Sequence, residues 1–189
     1  MRITEDRYTR DRQRFDLALR MIHHEARTCT IRTWTGLTDD RIRKLYRSYV
    51  ADHGPAIKRR RGKSPSHASF FLKNLETRRH TAALAGLYAI HGLLQRAIEE
   101  RACGGNPGAL RWGELFCQTY ETYLTMNRPQ RISFEHAYCL LHALHRRSEL
   151  RPGVCPQCQA FTVVDTMRSQ DAVCALCERE MRERHAEHG

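Results

Sequence analysis

Nowhere in this 189-residue sequence do apolar residues run for the ~20 positions that a membrane-spanning helix requires. The opening stretch MRITEDRYTRDRQRF also lacks the apolar core of a secretion signal. A cytoplasmic protein with no membrane segment is therefore expected. Walker-type phosphate loops, a G-x-S-x-G elbow and an H-E-x-x-H pair are all missing, and the acidic residues form no convergent pair. No catalytic constellation is visible, so binding rather than chemistry is expected, and the chain is read as no enzyme. Internal repeats and low-complexity tracts are also absent.

Acidic residues are scarce in one part of the chain only. Residues 1–80 hold 20 Lys and Arg against 9 Asp and Glu, whereas residues 81–189 hold 12 against 12. The whole net charge of +11 therefore sits in the first 80 residues. A basic surface of this kind suits a partner with closely spaced phosphates, because each neutralised phosphate releases condensed counterions.

Of the 8 cysteines, half stand in two C-x-x-C units: Cys155-Pro-Gln-Cys158 and, after fifteen intervening residues, Cys174-Ala-Leu-Cys177. Without a secretion signal, metal ligation accounts for them better than a disulfide framework. Each pair presents two thiolates from one turn, and an intervening hairpin brings the second pair round to complete a tetrahedron. Four thiolates leave no position for water or substrate. The expected occupant is one structural zinc ion per chain, with iron or a redox dithiol as the other uses of such spacing. A zinc deaminase would need H-x-E followed by P-C-x-x-C, but Val154 precedes Cys155 and His23-His24-Glu25 lies far upstream. His142 and His145, although close in sequence, read as surface or packed helix residues rather than ligands. Cys29, Cys103, Cys117 and Cys139 read as small buried hydrophobes.

Helical periodicity governs most of the chain. It predicts helices over residues 11–26, 28–35, 39–50, 66–76, 81–100, 110–126 and 133–147, with Thr38 as an N-cap and Asp39 and Asp40 favouring the positive end of the helix that follows. Phe161-Thr162-Val163-Val164 is β-rich, and Glu178 to His188 reads as a solvated helix or a fraying tail. The fold class is mainly α. Residues 1–51 form N-terminal helices, 52–66 a basic linker, 67–150 a helical core domain, and 151–189 a small four-cysteine module resembling a zinc ribbon.

Taking Gly36 as a turn, Ile31 lies five residues before it, and Ile42 and Leu45 lie six and nine after it. Each flanking helix thus offers apolar positions for the other, as in a helix-turn-helix. Arg41, Arg43, Lys44 and Arg47 remain outside, beside Thr38, where basic side chains reach phosphates and Arg can read guanine. The run Lys58, Arg59, Arg60, Arg61 and Lys63 reads either as a solvated loop or as an arm along DNA. The aromatic residues sit at helical spacings and are assigned to core or interface, none to nucleic acid.

In order, the segments ALRMIHHEARTCTIRTWTGLTDDRIRKLYRSY, SPSHASFF, FEHAYCLLHALHRRSELRPGVCPQC and AVCALC resemble FlhC, a subunit of the flagellar transcriptional activator of Gram-negative bacteria. The resemblance spans roughly residues 11–177. Its most specific pieces are Ile42-Arg-Lys-Leu-Tyr46, Pro65-Ser-His-Ala-Ser-Phe-Phe71 and the four-cysteine cluster. It implies zinc on Cys155, Cys158, Cys174 and Cys177, and an FlhD-like partner in an assembly of four FlhD and two FlhC chains. It also implies binding to double-stranded promoter DNA and recruitment of RNA polymerase. Phe70-Phe71 departs from a common Trp-Phe pair, the 58–63 run is unusually basic, and the tail beyond Cys177 is short. The alternative is a zinc-stabilised adaptor for protein or RNA that binds no specific DNA.

Overall fold

Apolar residues recurring every three or four positions make helices, and helices occupy most of the described chain. The structure, a computed structural model, describes residues 2–53, 60, 62, 67–95, 107–167 and 173–187. In chain order these form α1 (Arg2–His23), α2 (Thr28–Thr35), α3 (Asp39–His53), α4 (Ser69–Leu72), α5 (Leu75–Ile90), α6 (Pro107–Met126), α7 (Phe134–Arg146), β1 (Leu150–Val154), β2 (Phe161–Asp165) and α8 (Ala175–Glu187). No helix among the described residues is long and apolar enough to cross a membrane. The chain divides into two units, residues 1–64 with 95–118, and residues 65–94 with 119–189.

In the first unit, Leu17, Ala18, Met21 and Ile22 of α1 are buried together with Ile31 and Trp34 of α2, Ile42 and Tyr46 of α3, and Phe116 of α6. Trp34 stacks on Phe116 at 6.2 Å between ring centroids. A methyl group on Gly113 would lie 2.7 Å from Leu17 Cδ2 and 3.2 Å from Trp34 Cβ, so glycine is what lets α6 sit so close. Arg20 pairs with Glu114, and the Tyr46 hydroxyl donates to the Ala26 carbonyl.

The link between α2 and α3 is only three residues long. Gly36 adopts φ 66°, a left-handed conformation that costs a residue with a Cβ about 1 kcal/mol, and its N–H closes the helix on Arg32 O at 2.9 Å. The Thr35 hydroxyl donates back to Ile31 O at 2.7 Å while accepting from Leu37 N–H at 3.2 Å. Thr38 then accepts from Arg41 N–H at 3.5 Å, the capping role expected of it, and Asp39 and Asp40 stand in the first turn of α3.

In the second unit, α5 and α7 bury Leu84, Ala85, Tyr88, Ala137, Leu140, Leu141 and Leu144, joined by Phe71, Tyr120, Tyr123 and Phe134. Three core hydroxyls are bonded to backbone carbonyls. Tyr88 donates to Ala137 O at 2.8 Å, Tyr120 to Ile132 O at 3.1 Å and Thr81 to Phe71 O at 3.1 Å. Strands β1 and β2 form an antiparallel ribbon with Leu150 opposite Asp165 and Val154 opposite Phe161, and β2 lies against α5.

The element boundaries depart from expectation in several places. Helix α1 spans Arg2–His23 rather than 11–26, because its charged first turns carry no apolar period to mark their start. The helix expected over 66–76 stops at Leu72, because Asn74 breaks it and caps α5 by accepting from Thr77 N–H at 2.8 Å. Helix α5 runs from Leu75 to Ile90 rather than from Thr81 to Glu100: it buries the polar Thr77, His80 and Thr81, which carry no apolar signal, and it ends before Gly92 at φ 74°. Strand β1 was not expected, since Pro152 and Gly153 disfavour a sheet interior. A two-stranded ribbon has only edges and tolerates both.

His80 is fully buried between Tyr123 and Arg79. The Arg79 guanidinium donates to Nε2 at 3.0 Å, so Nδ1 carries the proton and donates to the Tyr123 hydroxyl at 2.7 Å. Burial first, and then the Arg79 charge, lower its pKa below 6.5; Arg131 acts in the same sense, whereas Glu76, 3.9 Å away, opposes them. Below pH 6.5 the unfolded chain takes up a proton that the fold rejects. The stability that this neutral histidine preserves is thus complete above 6.5 and falls with acidification at up to ~1.4 kcal/mol per pH unit. Urea unfolding at pH 7.5 and 5.5 should show this loss, and His80→Gln should reduce it.

Candidate metal centre

The ribbon sets the first pair of cysteines. β1 ends at Val154, and the turn beyond it closes with Cys155 N–H on Ala160 O at 2.8 Å and Gln159 N–H on Cys155 O at 2.9 Å, with Gln159 at φ 60°. This puts Cys155 and Cys158 on one side of the turn. The second pair sits at the start of α8. Cys174 occupies the capping position: its carbonyl accepts from Glu178 N–H at 3.0 Å and its Sγ from Cys177 N–H at 3.5 Å.

All four sulfurs lie within 4.8 Å of one another, and Cys158 Sγ stands 3.6 Å from Cys174 Sγ. A tetrahedral ion with metal–sulfur bonds of ~2.3 Å needs sulfurs about 3.8 Å apart, so the four cysteines can hold one metal ion. Cys155, Cys174 and Cys177 are buried and Cys158 is exposed, which leaves one open side for an ion to enter. Among the described residues no histidine or carboxylate joins the cluster. His145 instead approaches Leu93 O at 2.6 Å through Nε2, and His142 packs edge-on to Tyr138. Cys117 is buried and Cys139 partly so, as expected of small hydrophobes, whereas Cys29 is exposed and Cys103 lies outside the described residues.

The protein charges this cluster unevenly. Burial would raise the Cys155 thiol, but amides of Cys174, Cys158 and Gln157 directed at its sulfur outweigh that and bring it down to about 6. The Cys174 N–H to Cys155 Sγ distance is 3.3 Å. Cys177 is shifted the other way, because hydrogen bonding with the Cys158 and Cys174 sulfurs, together with burial, holds its proton in place. A cation entering the cluster releases such protons, so metal affinity rises with pH.

Two residues with no local sign of a partner hold the second knuckle. Arg78 of α5 donates to Val173 O at 2.7 Å, one residue before Cys174, and pairs with Glu178, one residue after Cys177, 100 positions along the chain. Glu178 also binds Arg182 at 2.6 Å. Burial opposes the Glu178 charge, but the two guanidiniums prevail and keep its carboxyl below the usual range. Arg78 therefore grips both ends of the knuckle from outside the ligand set.

The residues expected to meet DNA fall elsewhere. Thr38 is exposed just ahead of α3, Arg41, Arg43, Lys44 and Arg47 are exposed along it, and Ile42 and Tyr46 form its buried side. Arg43 reaches Asp40 at 2.9 Å, an i, i+3 pair in water worth a few tenths of a kcal/mol at most. Arg60 lies across from the α1–α2 turn, with its guanidinium on Glu25 at 2.7 Å, while Arg27 donates to Gly62 O. Lys58, Arg59, Arg61 and Lys63 lie outside the described residues.

No protein-family model matches the chain, and neither does any curated protein.

Two outcomes follow from the centre. Removing the metal with a chelator should melt the 150–187 region while the α5–α7 core persists, as read by amide exchange. Arg78→Ala should weaken Co²⁺ binding, followed by its thiolate absorption, by about 10- to 100-fold, with all four ligands still present.

Proposed function

We propose that this chain is the DNA-binding subunit of a hetero-oligomeric transcriptional activator of flagellar genes, acting with an FlhD-like partner to bind promoter DNA and recruit RNA polymerase. The observation that carries the proposal is the pairing of α2 and α3 through a three-residue turn with a left-handed glycine. A helix-turn-helix needs that geometry to present its second helix to the major groove. The apolar positions Ile31, Leu37 and Ile42 are buried between the helices, and the exposed side of α3 carries Arg43, Lys44 and Arg47. The order of motifs shared with FlhC supports the same assignment, as does the concentration of positive charge in the first 80 residues.

On this assignment the roles separate. Arg41 and Lys44 neutralise phosphates and fix the register of α3. Arg43 and Arg47, one helical turn apart, are placed to reach base edges, where a bidentate arginine on guanine contributes ~1–3 kcal/mol of discrimination. Four cysteine thiolates favour zinc, and with every coordination position filled the ion is structural: Cys155, Cys158, Cys174 and Cys177 fold the C-terminal module rather than catalyse. Two such chains in a two-fold assembly with the partner would set two recognition helices on one extended site.

A second reading rests on a separate feature. In the second unit, α5, β2 and the start of α8 enclose an open apolar groove of about 360 Å³, with Ile90 78% and Met126 69% exposed. An apolar surface of this kind also suits a zinc-stabilised adaptor that binds protein or RNA and no specific DNA.

Gel shifts of the chain co-expressed with an FlhD-like partner separate the two. Arg43→Ala/Arg47→Ala should weaken binding to a flagellar promoter more than to random DNA, whereas Arg41→Ala/Lys44→Ala should weaken both alike and reduce the slope of log K against log [salt] by about 1.8, two phosphate equivalents. Binding with no preference for promoter over random DNA would favour the adaptor.

A further inference from the structure

The second unit carries little net charge, 12 Lys and Arg against 10 Asp and Glu over residues 65–94 and 119–189. The fold does not spread that charge evenly. A groove of about 830 Å³ runs between the start of α5, the Gln130-Arg131 segment ahead of α7, and the first turns of α8. Its charged lining is Lys73, Arg78, Arg131 and Arg182 against Glu76 and Glu178, an excess of two that equals the excess of the entire unit.

The pairing within the lining makes the groove more positive still. Glu76 is taken by Arg79, at 3.4 Å, from outside the groove. Arg78 and Arg182 share the one carboxylate of Glu178, so that triad keeps one positive charge. Lys73 and Arg131 have no carboxylate partner among the described residues; the Lys73 ammonium rests over the Phe70 ring, 4.4 Å from its centroid, which fixes where that charge stands. The first turn of α5 adds the positive end of its dipole to the same wall.

We propose that this groove is a second contact for the phosphate backbone of duplex DNA, with Lys73, Arg131 and Arg182 as the contacting cations. The inference rests on the DNA-binding function proposed above and adds a surface that the overall charge of this half conceals. No aromatic side chain lines the groove, so it has no platform for stacked bases and suits a duplex backbone rather than a single strand. Its contacts are sequence-independent: they add affinity and salt dependence and leave promoter choice to α3. The groove also gives the metal a link to DNA binding, because the wall carrying Arg182 begins at Cys174 and Cys177 and is tied to α5 by the Arg78–Glu178 pair and the Arg78–Val173 bond.

The test compares Lys73→Gln/Arg131→Gln with Arg43→Ala/Arg47→Ala in the full chain with its partner, after equal metal content and circular dichroism are shown. Binding to a promoter duplex, a random duplex and the matching single strand is measured from 50 to 300 mM salt. The Lys73/Arg131 variant is expected to reduce the salt slope by about 1.8 and to weaken promoter and random duplexes by the same factor. Lys73→Arg/Arg131→Lys should restore both. An unchanged slope, or a loss confined to the promoter duplex, overturns this inference while the Arg43/Arg47 result decides the function separately. If the unsubstituted chain binds no duplex, the proposed function and the groove fall together.

Discussion

The placement of α8 turns on four sulfurs held within 4.8 Å of one another. A two-stranded ribbon is marginal in water by itself, and so is a 13-residue helix lacking an apolar face. Among the described residues of α8 only Ala175 and Cys177 are buried, and those beyond Glu178 are largely exposed. The helix is thus anchored mainly at its first turn, with Gln157 reaching Met181 one turn further on. A metal ion joining Cys155 and Cys158 of the ribbon to Cys174 and Cys177 would supply what burial of α8 does not. The Arg78 clamp then ties that knuckle to α5, a helix with a core of its own. Without an ion, four thiols of unequal basicity stand at contact distance, with Val173 packed against the buried three.

The four-cysteine cluster was legible because its determinants are local. Two C-x-x-C turns and a β-rich stretch between them specify four ligands, whatever the rest of the chain does. The α2–α3 hairpin was legible for a similar reason: Gly36, Thr38, Asp39 and Asp40 act within four residues of one another, and α2 begins and ends where its pattern predicted. What escaped was non-local or polar. Arg78 and Glu178 meet across 100 residues, and neither carries a signal that it has a partner. Thr77, His80 and Thr81 face the core of the second unit, yet a hydrophobic count reads them as solvent-facing, which moved the expected start of α5 from Leu75 to Thr81. Strand β1 was hidden by Pro152 and Gly153, residues that forbid an inner strand but not a hairpin edge.

Charge shows most clearly what a linear reading loses. Counting residues along the chain separates a basic beginning from a neutral remainder, and on that basis the cysteine-bearing half looks electrically inert. Folding re-sorts the remainder. Glu178 spends its charge on two arginines, Glu76 turns to Arg79, and Lys73 and Arg131 are left facing the same space. A surface potential depends on which charges are neutralised within a few ångströms, not on the sum over the sequence. The same argument qualifies the basic start of the chain: Arg60, Arg32 and Arg43 each lie against a carboxylate, whereas Arg41, Lys44 and Arg47 are drawn into no ion pair among the described residues. The cations that matter for a phosphate are those the fold leaves uncompensated. They lie along α3 in one unit and along the α5–α8 groove in the other.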